Sequence, residues 1–157
     1  MTIVDKIIAS IHAALDWTEQ VTDENGNTTD VLHEYPVYYH DDITLNLMTS
    51  EMRFPCALLY LLTTGRPVQE GGTLKERVTA AVFFVSLQDC ADFDAVYNEA
   101  VIDERKADAF AWLKSLNLDG DIELVEQTRS ERIYGRYDDI LTGYGVKVEI
   151  KELIGYC

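Results

Sequence analysis

The sequence predicts an α+β domain in which about two main helices form a single layer on a mostly antiparallel sheet. Two stretches, near residues 3–15 and 94–116, repeat apolar residues at helical spacing, and the segments between and after them have the composition and alternation of strands. The chain has 157 residues and contains no repeat or Pro/Ser-rich linker, so we expect residues 1–157 to form one domain.

The first helix is predicted over residues 3–15, where apolar side chains recur three and four positions apart. Thr2 is a suitable N-cap, because its hydroxyl can accept a hydrogen bond from a backbone N–H of the first turn. The apolar stripe is expected to pack on a sheet, and it consists of Ile3, Val4, Ile7, Ile8, Ile11 and Leu15.

Residues 17–34 are predicted to form a protruding hairpin. Two strand-like segments, 17–21 and 28–32, flank a polar stretch that contains Asn25-Gly26. Asn-Gly favours a short hairpin turn, because both residues tolerate a positive φ. A flexible loop is the alternative, since the tip of this segment is strongly polar.

The Tyr-rich segment 35–39 is predicted to be an edge strand or the start of a strand, because Pro36 cannot donate to a sheet ladder. Asp42 is then expected to cap a short helix that ends before Pro55, since the residue before a proline avoids the α region. The apolar residues of this helix are Ile43, Leu47 and Met48.

Two apolar stretches predict the centre of the sheet. Residues 56–62 are continuously apolar, which is typical of a short strand buried on both faces. Residues 73–87 predict a longer strand whose two faces are both mostly apolar, so we expect it to be central or covered on both sides. The residues that predict a loop between these strands are Gly65, Pro67, Gly71 and Gly72.

The longest helix is predicted over residues 94–116, with Asp94 as its N-cap and with Asn117 and Gly120 at its end. Its expected apolar stripe is Tyr97, Val101, Phe110, Leu113 and Leu116, with close approach allowed by Ala100, Ala107 and Ala109. Its expected solvent side is Glu99, Asp103, Glu104, Arg105, Lys106 and Asp108.

Three strands are predicted after this helix, over residues 122–125, 132–137 and 144–153, with a turn at 138–143. The last strand has the pattern of a half-exposed antiparallel strand. Its apolar positions, Val146, Val148 and Ile150, alternate with the charged positions Lys147, Glu149 and Lys151.

The chain is strongly acidic, with 28 acidic and 13 basic residues and a formal net charge of -15. A surface this negative repels phosphate, so we expect neither tight nucleic-acid binding nor an anionic membrane partner. The charge is explained either by solubility or by a passage through which DNA slides without sticking. No stretch reaches the roughly 18 apolar residues of a membrane span, and the N-terminus lacks the pattern of a signal peptide.

The three cysteines, Cys56, Cys90 and Cys157, are scattered, so neither a disulfide scaffold nor a structural zinc site is predicted, and a reducing cytoplasm fits best. Cys56 is expected to be a small core residue. Three acidic or histidine-containing segments could supply metal ligands, and each has a commoner structural explanation. They are His33 and His40 with their acidic neighbours, then Asp89, Asp92 and Asp94, and finally residues 117–123. No metal and no cofactor is therefore predicted.

No catalytic constellation is recognised in the sequence. The glycine, serine and histidine motifs that mark phosphate-binding loops, dinucleotide sites, nucleophile elbows and zinc proteases do not occur. His12 is expected to be structural, and the carboxylates of Glu131, Asp138 and Asp139 form too common a pattern to indicate acid–base chemistry. The chain is accordingly not predicted to be an enzyme.

Several basic residues stand out against the acidic background as candidates for an oligomer interface. Surface ion pairing is the ordinary explanation, and it contributes about 0–1 kcal/mol per pair. In an assembly the same side chains would pair with the acidic helix of a neighbour and fix its register. The candidates are Arg66, Lys75, Arg77, Arg129, Arg132 and Arg136.

Four stretches together span most of the chain and resemble the tail-completion or tail-terminator proteins of bacteriophages and prophages. They are the helical start Ile3 to Leu15, the segment Leu47 to Tyr60 with Phe54-Pro55, the strand Val78 to Leu87 with the Asp92-Phe93-Asp94 helix start, and the segment Tyr137 to Val146. The region from Trp17 to Tyr39 is longer than in the compact members of that family.

The resemblance implies a structural protein of the virion, or of the bacterial cytoplasm during assembly. Such proteins form rings, commonly hexameric, that cap the tail tube and join it to the head while DNA passes. The expected partners are further copies of the chain and other tail or neck proteins, and no catalytic residues are implied. Ring contacts are expected from strand edges, from the 65–77 loop and from the protruding segment that contains Asn25-Gly26.

Two other functions are carried as alternatives. One is an acidic protein-binding adaptor, either another neck component or an inhibitor that mimics nucleic acid, which would present one acidic face to a basic partner. The other is a small enzyme with an unrecognised acidic pocket, which would require a concave site with several convergent polar groups.

Overall fold

The computed structural model describes residues 2–39, 52–87, 95–116, 122–135 and 141–156. Several predictions lie wholly or partly outside these residues: the short helix after Asp42, the N-cap at Asp94, the helix end at Asn117 and Gly120, and the metal-site candidates at His40, at Asp89, Asp92 and Asp94, and at 117–123. The elements in chain order are α1 (Ile3–Leu15), β1 (Trp17–Thr22), β2 (Thr28–His33), β3 (Val37–Tyr39), β4 (Cys56–Glu70), β5 (Thr73–Leu87), α2 (Ala95–Ser115), β6 (Ile122–Gly135) and β7 (Leu141–Tyr156).

The main sheet has the strand order β3-β4-β5-β7-β6, and β1 and β2 form a separate two-stranded sheet. β3 pairs parallel with β4, and the other neighbouring strands of the main sheet pair antiparallel. The predicted α+β class is therefore confirmed. β3 lies at an edge of the sheet and β4 and β5 lie inside it, as their sequences predict.

α1 has the predicted bounds and the predicted cap. The hydroxyl of Thr2 accepts a hydrogen bond from the Asp5 backbone N–H at 3.1 Å, and the Asp5 carboxylate accepts one from the Thr2 N–H at 3.0 Å. This reciprocal capping box satisfies two N–H groups that the helix leaves without a partner. Ile7 and Ile11 are fully buried beneath it.

The loop predicted between residues 65 and 72 is wrong. β4 continues to Glu70, and Gly71-Gly72 turns the chain directly into β5 with φ angles of 56° and 81°. Two consecutive residues with positive φ make the tight hairpin turn that glycine permits. A register shift between Thr64 and Pro67 interrupts the ladder, which allows a proline inside a strand.

Of the stripe predicted for α2, three residues, Val101, Leu113 and Leu116, are buried, but two other positions differ from the prediction. Arg105 was expected on the solvent side, but it is buried on the same face as Ile102 and Trp112, which lie three and seven residues away. The Trp112 indole N–H donates to the Ser10 hydroxyl at 2.8 Å, and this buried bond joins α2 to α1. Phe110, expected in the stripe, is 44% exposed.

β6 replaces the two strands predicted over 122–125 and 132–137. Register shifts between Leu124 and Glu126 and between Gln127 and Arg129 break its alternation, so the sequence pattern divided one strand into two. β7 begins at 141 and pairs with β5, so the last three residues of the turn predicted at 138–143 belong to a strand.

Both helices pack on one face of the main sheet. Residues of α1 and α2 share a core cluster with Ala57, Leu59, Val82 and Phe84. The opposite face has a smaller cluster to which neither described helix contributes: Met52, Cys56, Leu58, Val85, Ile133 and Leu141. We call this second side of the sheet the open face. Within the described residues, neither helix has both the length and the apolar composition that crossing a bilayer requires.

Candidate interaction surfaces

A hairpin arm, residues 17–33, extends from the end of α1 and confirms the predicted hairpin over the predicted loop. All six residue pairs of β1 and β2 are in register, from Trp17 opposite His33 to Thr22 opposite Thr28. Asp23 organises the turn, because its carboxylate accepts hydrogen bonds from the Asn25 and Asn27 N–H groups, both at 2.9 Å. These bonds, that to Asn27 above all, lower the pKa of Asp23.

The arm has no buried face of its own. Every residue from 17 to 32 is exposed, and His33 is the first that is partly buried. A two-stranded hairpin is marginal in water unless its apolar side chains find a surface to cover them. The arm therefore exposes apolar side chains that nothing among the described residues covers.

One face of the arm carries a stripe of exposed apolar side chains. Because directly opposed residues point to the same side, Trp17, Val21 and Val31 share a face with Glu19 and His33. Trp17, Val21 and Val31 are 56%, 43% and 39% exposed. The opposite face is polar except for its exposed leucine: Thr18, Gln20, Thr22, Thr28, Asp30 and Leu32.

The base of the arm is anchored to the domain. The Asp16 carboxylate accepts a hydrogen bond from the Tyr35 backbone N–H at 2.7 Å and lies 2.9 Å from His12 Nδ1. The ring of Trp17 stacks on that of His33, with centroids 4.2 Å apart. One carboxylate thus holds both ends of the arm, so the arm leaves the domain in a defined direction.

The open face holds an apolar groove of about 250 Å³ across β4, β5, β6 and β7. Leu62, Ala81 and Phe83 supply its apolar lining, and Leu62 is 48% exposed. Gly145 forms part of the floor, where an added Cβ would lie 2.4 Å from the Phe83 ring. The sequence predicts that β5 is either central in the sheet or covered on both faces. It is central, and its second face is only partly covered.

Charged side chains border this groove. Arg129, Glu131 and Lys147 line it, and the Arg129 side chain is 73% exposed and lies 3.9 Å from Glu131. By strand register, the cations that β5, β6 and β7 place on the open face are Lys75, Arg77, Arg129, Lys147 and Lys151, and the carboxylates of these three strands on that face are Glu123, Glu126, Glu131 and Glu149. The basic and acidic side chains of these strands thus nearly balance on the open face, although the whole chain has a net charge of -15.

The six predicted interface cations do not form one patch. Lys75 and Arg77 share the open face with Arg129, and they lie 3.4 Å from Glu123 and Glu149 respectively. Arg132 lies on the helix side, where its guanidinium contacts Glu99 of α2. The acidic helix thus pairs with an arginine of its own chain. The side chains of Arg66 and Arg136 lie outside the described residues.

A partly buried polar network joins α2 to Tyr35, which precedes β3, and to Ser86 of β5. The Tyr35 hydroxyl donates to the Asp108 carboxylate at 2.9 Å, and Arg105 donates to the Ser86 hydroxyl at 3.2 Å. The Arg105 Nε atom is 3.1 Å from Asp108, although its N–H is not aligned for a hydrogen bond. Burial raises the pKa of Asp108 and Arg105 partly offsets this, and burial also raises the pKa of Tyr35.

This network connects α2 to Tyr35 and to β5. Neither the groove beside Leu62 nor a wider hollow of about 670 Å³ beside Phe110 is lined by its residues. Elsewhere, His33 Nε2 lies 2.8 Å from Glu19, a contact of one histidine with one carboxylate. Within the described ranges, no three histidine, cysteine or acidic side chains converge on a common point.

The sequence indicates part of these surfaces. Asn25-Gly26 predicts the arm, and the positions of Trp17 and Val21, which a strand places on the same face, indicate part of its apolar stripe. The groove had no local signal, because it joins strands that are far apart in the chain. Comparison with known families finds no family model that matches, and no curated protein matches the sequence significantly.

Proposed function

We propose that the chain is a structural subunit of a phage or prophage tail or neck. Its copies form a ring that terminates the tail tube and joins it to the head while DNA passes through. The subunit works by assembling, and no step of this function requires catalysis, a cofactor or a metal.

The observation that carries the proposal is the hairpin arm. It exposes Trp17, Val21 and Val31 along one face, and nothing in the described part of the domain covers them. An exposed apolar stripe on a protruding element is typical of a protein interface. An anchored arm of this kind suits a subunit that must reach a neighbour.

The resemblance to tail terminators and the acidic charge support the same function. A ring that passes DNA must not bind it, and carboxylates offer phosphates no favourable contact. The formal net charge of -15 fits such a passage. This part of the proposal also places the protein in the virion, or in the bacterial cytoplasm before assembly.

An acidic adaptor is the second candidate, because the arm carries Glu19, Asp23, Glu24 and Asp30 and no lysine or arginine. An acidic arm would engage a basic partner protein, and the free chain would then remain a monomer or a dimer.

Solution mass measured by light scattering over a concentration and salt series separates the two functions. The ring proposal predicts a discrete assembly with a central opening in negative stain. A chain that stays monomeric at every concentration, also when mixed with purified tail tubes, contradicts it and favours the adaptor.

A further inference from the structure

We propose that the arm of one copy docks on the open face of a second copy, with Val21 and Val31 against the groove beside Leu62 and Phe83. This inference rests on the proposed function, since it names the surfaces through which the subunits would assemble. It joins two surfaces of the same chain that each expose apolar side chains.

The apolar parts of the two surfaces match in kind and size. Val21 and Val31 are diagonal neighbours on the same face of the arm, between Trp17 at the base and the polar turn. The groove has a volume of about 250 Å³, against about 30 Å³ for a water molecule, so it has room for whole side chains. Covering both surfaces removes apolar area from water, which is the main favourable term in association.

The charges of the two surfaces are complementary. Glu19 lies directly opposite Val31 on the arm, beside the apolar stripe, and the rest of the arm adds only carboxylates. Arg129 and Lys147 border the groove, where Glu131 is the nearest carboxylate. Two copies that each carry a net charge of -15 repel one another over most of their surfaces. On the open face the acidic arm would lie near cations, so electrostatic attraction favours docking of the arm there.

The geometry of such a contact generates a ring or a filament. Arm and groove are different surfaces, so the contact is heterologous, and each copy uses its arm on one neighbour and its groove on the next. The direction of the arm is fixed at its base by the Asp16 carboxylate, which limits the angle between neighbours. A fixed angle allows the series of contacts to close.

Photo-crosslinking tests the contact directly. Benzoylphenylalanine is placed at Val21 of the full-length chain, and the labelled protein is mixed with an isotopically heavy copy so that links between copies are distinguished from links within one. The expected result is an inter-copy crosslink to peptides that contain Leu62, Phe83 or residues 129–147. The same probe at Gln20, on the opposite face of the arm, is the matched control and should crosslink several-fold less to these peptides.

A charge exchange provides an independent test. Glu19→Lys and Arg129→Glu should each weaken self-association strongly, because each places like charges together at the contact. An equimolar mixture of the two variants should assemble again, since every contact then pairs opposite charges. Unchanged circular dichroism melting of both variants shows that the fold is intact.

The outcomes separate this inference from the function on which it rests. Rings that form without the open-face crosslink, or with a crosslink from one arm to another arm or to the hollow at Phe110, overturn the arm-to-groove contact and leave the ring function standing. Open-face crosslinks in filaments or dimers without rings support the contact and contradict the ring. A chain that stays monomeric without any crosslink, also when mixed with purified tail tubes, overturns both.

Discussion

At the scale of single residues, the domain depends on a few buried polar side chains whose partners are specific. Ser10 is one of them, because its hydroxyl accepts the Trp112 indole N–H and donates to the Ile7 carbonyl at 2.6 Å. Both side chains are buried, so neither has water as a substitute partner. Polar groups of this kind are more costly to leave without a partner than they are stabilising when paired.

Ser10→Ala is therefore expected to lower the free energy of unfolding by about 1–3 kcal/mol, because the buried indole N–H loses its acceptor. Urea denaturation of wild type and variant measures this difference. The control is the same substitution in a Trp112→Phe background, where no donor is stranded and the cost should be clearly smaller. An equal cost in both backgrounds would show that the hydrogen bond is not the cause.

Cys56 is buried in the strand that leads out of the Phe54-Pro55 turn, as the sequence predicts. Burial raises the pKa of its thiol to about 12, and the nearby Arg105 offsets this only in part. The thiolate is the reactive form of cysteine, so the folded chain keeps this side chain unreactive near neutral pH.

In a Cys90→Ser/Cys157→Ser variant, Cys56 is expected to resist alkylation by iodoacetamide at pH 8 until the protein unfolds. Mass spectrometry of the intact chain with and without urea measures the modification. Rapid alkylation in the absence of urea would contradict the buried position of Cys56.

At the scale of elements, the sequence indicates some features directly and others not at all. α1 and β5 have their predicted bounds because capping, periodicity and turn glycines agree there. The charge of Arg105 predicts exposure, but its helical spacing from Ile102 and Trp112 places it on the buried face. Buried arginines need partners, and the partners of Arg105 are Ser86, which is distant in the sequence, and Asp108, which is near, so a local pattern does not connect them.

The arm is likewise indicated by the sequence only in part. Its turn was predictable from Asn25-Gly26, whereas its exposure on both faces depends on which elements reach it in the fold. The groove depends on strand order, because it is formed where β4, β5, β6 and β7 lie side by side. No window of sequence contains that information.

The arm is expected to depend on Asp23, whose carboxylate holds the turn. Asp23→Ala should increase hydrogen exchange of the β1 and β2 amides, because two backbone N–H groups lose their acceptor, while amides of β5 and β7 stay protected. Asp23→Asn is the matched control, since its side-chain oxygen can still accept. Equal protection of the arm in wild type and Asp23→Ala would contradict this role.

The same carboxylate predicts a pH dependence. Hydrogen bonds to Asn27 and Asn25 lower the pKa of Asp23 below its ordinary value of 3.8, so the folded arm favours the ionised form. The stabilisation is complete above that ordinary value and is lost as the pH falls through the lower pKa of the folded arm. The protection of the arm amides, measured relative to their intrinsic exchange rates at each pH, should therefore fall in strong acid in wild type. Asp23→Asn should lack this transition.

At the scale of the whole molecule, charge and shape act in opposite directions. A net charge of -15 disfavours contact between copies, while the arm and the groove each expose apolar surface that contact would cover. On the open face the charges nearly balance, so electrostatic repulsion there opposes the burial of apolar surface least. Assembly through a small local contact gains strength when each subunit is held by two neighbours, as in a closed ring.

The most direct measurement of this account is the solution mass of the wild-type chain beside two variants of equal charge, by light scattering over a concentration series. Val21→Asp/Val31→Asp places two charges on the apolar face of the arm, and Gln20→Asp/Thr22→Asp places the same two charges on its polar face. We predict a ring-sized assembly for wild type and for the polar-face variant, and a monomer for the apolar-face variant. Assemblies of equal mass in all three proteins would contradict the claim that the arm holds the subunits together.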